Sequence, residues 1–172
     1  VAQRGGACHP VVKQEVMKTK DRRSRTGLIG IAGVHYVVSE LSRRGLVALP
    51  TVKNLAAYDI VVLNTEGTRH ANVQVKASSK RVNFFPMPAP EKIRTGPRDI
   101  YVFVRWIEKD ERYEAFLLTG KQALQAVQAE LKYQTTAMRA GTRTVPFPCV
   151  AVGLKNGASA KRWAKAWKTW GL

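Results

Sequence analysis

An acid opens an apolar run at Asp59-Ile60-Val61-Val62-Leu63-Asn64, and a second apolar run carries an amide and an amine two residues apart in Gln74-Val75-Lys76. Side chains alternate along a strand, so Gln74 and Lys76 share one face of theirs. Thr65-Glu66-Gly67-Thr68 lies between the runs, and Gly67 suits the reversal of a hairpin. Such a hairpin is expected to bring Asp59 level with Val75 and to let Asp59, Gln74 and Lys76 converge. An acid, a second oxygen donor and a lysine are the minimum set for metal-assisted attack on a phosphodiester. The competing reading is that Asp59 caps one strand while Lys76 snorkels from the other. Gln-x-Lys in an apolar strand beside an acid has little packing value, which favours chemistry.

Several elements must position these residues. Val34, Val37, Val38 and Leu41 recur at helical spacing, and Gly45 stands where a left-handed cap belongs, so a helix is expected over 28–44. A short strand at 46–49 ends at Pro50, and the two site strands fall at 58–64 and 71–77. Residues 78–98 read as an irregular loop, because Pro86, Pro88, Pro90 and Gly96-Pro97 interrupt it, although it carries Phe84 and Phe85. The Tyr-, Val-, Phe- and Trp-rich stretch 100–107 reads as a buried central strand, with a second strand at 113–118. A helix over 121–132 buries Leu124, Val127 and Leu131, and 134–146 reads as loop. Residues 147–152 suit an edge strand. Over 159–170 a short amphipathic helix is expected, with Trp163, Trp167 and Trp170 on one face and Lys161, Lys165 and Lys168 on another. Core packing is the simpler use of the tryptophans, whereas the lysines either face water or track a phosphate backbone.

The bulk properties bound the partners. With 172 residues and 45% apolar content the chain can bury one core, expected over 26–172, behind a flexible basic arm at 1–25. The chain begins with Val and Met17 precedes the basic run, so residues 1–16 read as an upstream extension. Twenty-nine Lys and Arg against twelve Asp and Glu give +17. That charge favours a polyanion, nucleic acid ahead of an anionic membrane. Candidate phosphate contacts are Arg43, Arg44, Lys53, Lys80, Arg81 and Arg94, together with Lys161, Lys165 and Lys168. No apolar run approaches a membrane span and none resembles a signal peptide, so a cytoplasmic location is expected. Cys8 and Cys149 lie far apart and read as two thiols. His9 and His70 read as ordinary exposed imidazoles. No P-loop, Gly-x-Ser-x-Gly, His-x-x-x-His or Cys-x-x-Cys motif is present, which removes support for NTPase, serine hydrolase and zinc-ribbon readings.

Over about residues 28–120 the chain resembles the PD-(D/E)XK nuclease superfamily. Gly30-Ile31-Ala32-Gly33 matches the start of that family's helix, and Ser39-Glu40-Leu41-Ser42-Arg43-Arg44-Gly45 matches the run to its end. Asn54 precedes Tyr58-Asp59, and Gln74-Val75-Lys76 stands at the second core motif, in a Gln form known in the superfamily. The resemblance implies an α/β (α+β), restriction-endonuclease-like fold with a mixed central β-sheet flanked by helices. It further implies a metal-dependent nuclease that hydrolyses DNA phosphodiester bonds with Mg²⁺ or Mn²⁺, with a homodimer as one form. Asp59, Gln74 and Lys76 would be catalytic. Asp59, the Gln74 amide oxygen and the Val75 carbonyl would be metal ligands. DNA would be favoured over RNA.

One position departs from the family pattern. A glutamate usually follows the second glycine, but here Val34 and His35 follow Gly33. Glu40 is a poor substitute, lying two turns along and roughly 140° from His35 at about 100° per residue. His35 would offer an imidazole, which suits Mn²⁺ or Zn²⁺ better than Mg²⁺. Two alternatives follow from the departure and the charge. The first is a nuclease-fold protein that binds DNA or RNA without cutting it. The second is a basic structural protein on ribosomal RNA.

Overall fold

The computed structural model describes residues 19–52, 58–79, 84–141, 145–152 and 161–162, with only the backbone of 19–24 and 161–162. Helix α1 (Thr19–Ser42) is followed by β1 (Val47–Pro50), β2 (Ile60–Leu63), β3 (His70–Ser78) and β4 (Phe84–Pro86). After a 3₁₀ turn at Pro90–Lys92 come β5 (Asp99–Ile107), β6 (Arg112–Thr119), α2 (Gly120–Arg139), β7 (Cys149–Ala151) and β8 (Lys161–Arg162). The main sheet runs in the order β1-β2-β3-β5-β6-β8, and β4 pairs with β7 in a separate two-stranded sheet. Among the described residues only β3 and β5 pair in parallel. This is a mixed α+β fold whose mixed sheet is flanked by helices.

Alternation along the strands creates two cores. Ile60, Val62, Val73, Val75, Val102 and Val104 point to one face and pack beneath Val37 and Leu41 of α1. Tyr101, Phe103, Phe116 and Leu118 point to the other, beneath Ala123 and Val127 of α2 and Phe85 of β4. Strand β5 is buried from Asp99 to Val104, as its composition predicts for a central strand. Helix α1 closes with both bonds of a Schellman motif: Leu46 N–H donates to the Leu41 carbonyl (3.2 Å) and Gly45 N–H to that of Ser42 (3.0 Å). Gly45 takes the positive φ of +79° that this closure needs, and Gly67 turns the β2–β3 hairpin at +69°.

Four expectations are corrected. Helix α1 begins at Thr19, so 19–25 continue the helix rather than belonging to an arm. Lys and Arg are good helix formers, and extending an existing helix avoids the cost of nucleation. Residues 78–98 are not wholly irregular, since Phe84–Pro86 pairs with β7, which falls within the edge strand expected over 147–152. Helix α2 continues to Arg139 because Gln134, polar by type, is buried and spends its amide inside the protein. Its Nε2 donates to Glu130 Oε1 (3.0 Å) and Cys149 Sγ (3.3 Å), while its Oε1 accepts from Phe147 N–H (2.8 Å). Finally, Lys161 and Arg162 extend the sheet along β6 in place of the expected helix, satisfying edge backbone groups that a short helix would leave open. Residues 163–170, with the three tryptophans, Lys165 and Lys168, lie outside the described residues.

Candidate metal and nucleic-acid site

The strands β2 and β3 part company at Asp59. The Ile60↔Val73 pair is the last one in register. Asp59 N–H donates to the Val73 carbonyl (2.9 Å), so Asp59 and Ile60 both stand against Val73, the two-to-one match of a β-bulge. Asp59 is therefore not level with Val75, as a hairpin centred on Gly67 would have it: the Ile60↔Val73 register already sets Tyr58 opposite Val75, and the bulge moves Asp59 further back. Its carboxylate makes up the difference: Oδ2 accepts the Val75 N–H at 2.7 Å, in the slot that a continued β2 backbone would have filled. Thr51, one residue past β1, brackets the same point, its N–H donating to the Asp59 carbonyl (2.9 Å) and its hydroxyl to the Tyr58 carbonyl. The acid is thus fixed by backbone on both sides in the plane of the sheet.

Gln74 and Lys76 flank that contact on one face. They pair with Tyr101 and Phe103 of β5, so they belong to the α2 side, and both are half-buried. Tyr58 and Arg94 complete this side. The Arg94 guanidinium lies 4.7 Å from the Tyr58 ring centre and donates to its hydroxyl at 2.7 Å. Arg94 N–H donates to Tyr101 Oη at 3.0 Å. Burial pushes the Tyr101 phenol above its ordinary range, and that donated bond partly offsets the rise. The Tyr58–Arg94 stack had no signal in the sequence beyond the two residue types.

On the α1 side Asp59 opens into a cavity of about 420 Å³, lined by Gly30, Ile31, Val34 and His35 of α1, by Thr51, and by Val75. Gly33 explains how the helix comes so near: a Cβ there would stand 2.5 Å from the Ala77 Cβ of β3. His35 is exposed at the cavity and Val34 partly buried in it. The structure therefore places Asp59, Val75 and His35 around one opening, with Gln74 and Lys76 across the sheet plane from His35.

The donor set fits a divalent cation only in part. Among the described residues no three of His, Cys, Asp and Glu come together. One carboxylate with three lone pairs beyond the Val75 bond and one imidazole would need phosphate oxygens or water to complete a shell. Glu40 is spent elsewhere, pairing with Arg43 at 3.2 Å and Arg44 at 2.6 Å. Of the expected phosphate contacts, Arg43 and Arg94 are exposed and Arg44 is half-buried. Lys53, Lys80 and Arg81 lie outside the described residues, and only the backbone of Lys161 is described. Arg98, exposed beside the site hairpin, reaches the His70 ring at 2.9 Å.

No protein-family model and no curated protein matches the chain. Among solved structures, a bacterial homing endonuclease, I-Ssp6803I, aligns with 56% of this chain and 66% of its own, at 19% identity and a TM-score of 0.41. The aligned part falls just short of two thirds of that protein. No helix among the described residues is long and apolar enough to cross a membrane.

Proposed function

We propose that this protein is a divalent-metal-dependent nuclease acting on DNA, with Asp59 as its central carboxylate. The reading is carried by one observation, the Asp59 carboxylate held on the Val75 N–H at 2.7 Å where β2 and β3 separate. That bond fixes the acid against the middle residue of Gln74-Val75-Lys76 with no rotamer to search, which is the preorganisation that phosphodiester chemistry rewards. Bound there with Mg²⁺ or Mn²⁺ preferred, an ion would supply Lewis acidity toward a non-bridging phosphate oxygen. Asp59 and the Val75 carbonyl offer oxygen donors to it in the plane of the sheet, with Gln74 from one face or His35 from the other as a further ligand, since the two stand on opposite sides of that plane. Lys76 offsets the negative charge that builds on the phosphate, and Arg94 steers the backbone toward it. The +17 charge supports the polyanionic substrate.

The test is cleavage of plasmid DNA with Mn²⁺ by the wild type, Lys76→Ala and Asp59→Asn. The Asn variant keeps an acceptor for Val75 N–H while losing the charge, so it separates chemistry from folding. Both variants are expected to lose cleavage with DNA affinity within a few-fold of wild type. Undiminished cutting by either overturns the assignment.

A second reading, binding without cleavage, is favoured by Val34 in the place of an acid and by the lack of a three-ligand cluster among the described residues. Calorimetric titration of Mn²⁺ into the protein–oligonucleotide complex separates the two, since heat of binding is expected only for the nuclease. Under the second reading Val34→Glu restores both metal binding and cutting.

A further inference from the structure

The first half of α1 divides two cavities. Gly30, Ile31 and Val34 face the Asp59 cavity, whereas Arg25, Ile29 and Ala32 line a second one on the opposite flank. The second, about 220 Å³, is walled by Trp106 and Tyr113, with Ser78 and Ser79 beside them. Trp106 and Tyr113 are a cross-strand pair of β5 and β6 with ring centres 4.8 Å apart. Tyr36 of α1 packs behind Tyr113 at 4.6 Å, so the aromatic wall is braced from the helix side. Trp106 is only half-buried, and Arg25 is exposed at the edge.

We propose that this cavity holds one unpaired nucleobase, its ring against Trp106 and Tyr113 and its adjoining phosphate on Arg25. The size admits a single ring system, below the roughly 300–1,000 Å³ of pockets for larger ligands. Aromatic walls stack on any base, and a neighbouring arginine balances the backbone charge that comes with it. A neutral apolar ligand would gain nothing from Arg25, and a chain carrying +17 selects against cationic ones. The two cavities are separated by the thickness of one helix, about 10 Å. A strand joining them passes around that helix, so a base held here would fix which phosphate, a few nucleotides along, is presented to Asp59.

The inference rests on the nucleic-acid binding proposed above, and its test keeps the two apart. Fluorescence anisotropy of the full chain is measured with a short labelled single-stranded oligonucleotide, its abasic counterpart and a duplex. Loss of the bases, or Trp106→Ala, is expected to weaken single-strand binding roughly tenfold while duplex binding stays within about twofold. Trp106→Phe is expected to retain most of the single-strand affinity. Photocrosslinking of a bromouracil-bearing strand to the wild type needs no variant and should map to Trp106 or Tyr113. Equal affinity for the abasic strand, crosslinks only elsewhere, or parallel loss of single-strand and duplex binding overturns the base site. A chain that binds no nucleic acid refutes the proposed function as well.

Discussion

The two helices cover opposite faces of one sheet, but they close them differently. Helix α2 is fastened at both ends, by the Thr119–Gln122 capping box and by Gln134 reaching the chain before β7, and it lies on a dense aromatic core of Phe85, Phe103 and Phe116. Helix α1 touches the sheet closely along Gly33, and its N-terminal half has a cavity on each flank. One face spends its side chains on packing. The other leaves polar and aromatic groups open at its edges, and Asp59 and His35 of the candidate site open there.

This contrast can be broken by substitution. Phe103→Ala, on the closed face, is expected to cost about 3–5 kcal/mol in urea unfolding, whereas Val34→Ala, beside a cavity that already exists, should cost under about 1 kcal/mol. Equal losses would mean that the α1 face is as tightly packed as its opposite. Gly33→Val tests the close contact itself. Its new side chain meets Ala77, and an overpacking loss of about 1–3 kcal/mol is expected, partly recovered by adding Ala77→Gly. No loss would show that α1 can lift from β3 without penalty.

The smallest effect is electrostatic. Burial works to raise the Glu114 carboxyl, but bonds and charge from Arg105, then Arg112, outweigh it and hold the group below the ordinary carboxylate range. Arg105 Nη2 lies 2.7 Å from its Oε2. A depressed folded value stabilises above the unfolded pKa, near 4.3 for glutamate, and that contribution drains away as pH falls through the folded value. Urea midpoints of Glu114→Gln should therefore fall less steeply than wild type on the acid side and lie slightly lower at neutral pH. Identical acid limbs would remove Glu114 from the account.

What was legible in the sequence followed local rules. Gly45 and Gly67 could be placed because positive φ has few tenants, and β5 because an uninterrupted apolar run needs burial on both faces. The proximity of Asp59 to Gln74-Val75-Lys76 was legible as a hairpin. Its form was not, since a bulge at Asp59 depends on where β1 and β3 hold it. Gln134 reads as surface by type, and only the approach of Phe147 and Cys149 makes its burial tolerable. Phe84–Pro86 looks like loop until β7, far along the chain, arrives to pair with it. Trp106 and Tyr113 read as strand residues, and nothing local marks the opening that α1 leaves beside them.

The Gln134 contact has one more use. Cys149 is 1% exposed, and its sulfur accepts from the Gln134 amide. A thiol reagent can reach it only when β7 comes away from α2, so the residue works as an internal stopwatch on that separation. In a Cys8→Ser background, labelling of Cys149 should be slow and should quicken in Gln134→Ala, while substitutions around Asp59 leave it unchanged. Opening of the closed face would then be timed independently of changes at the Asp59 cavity.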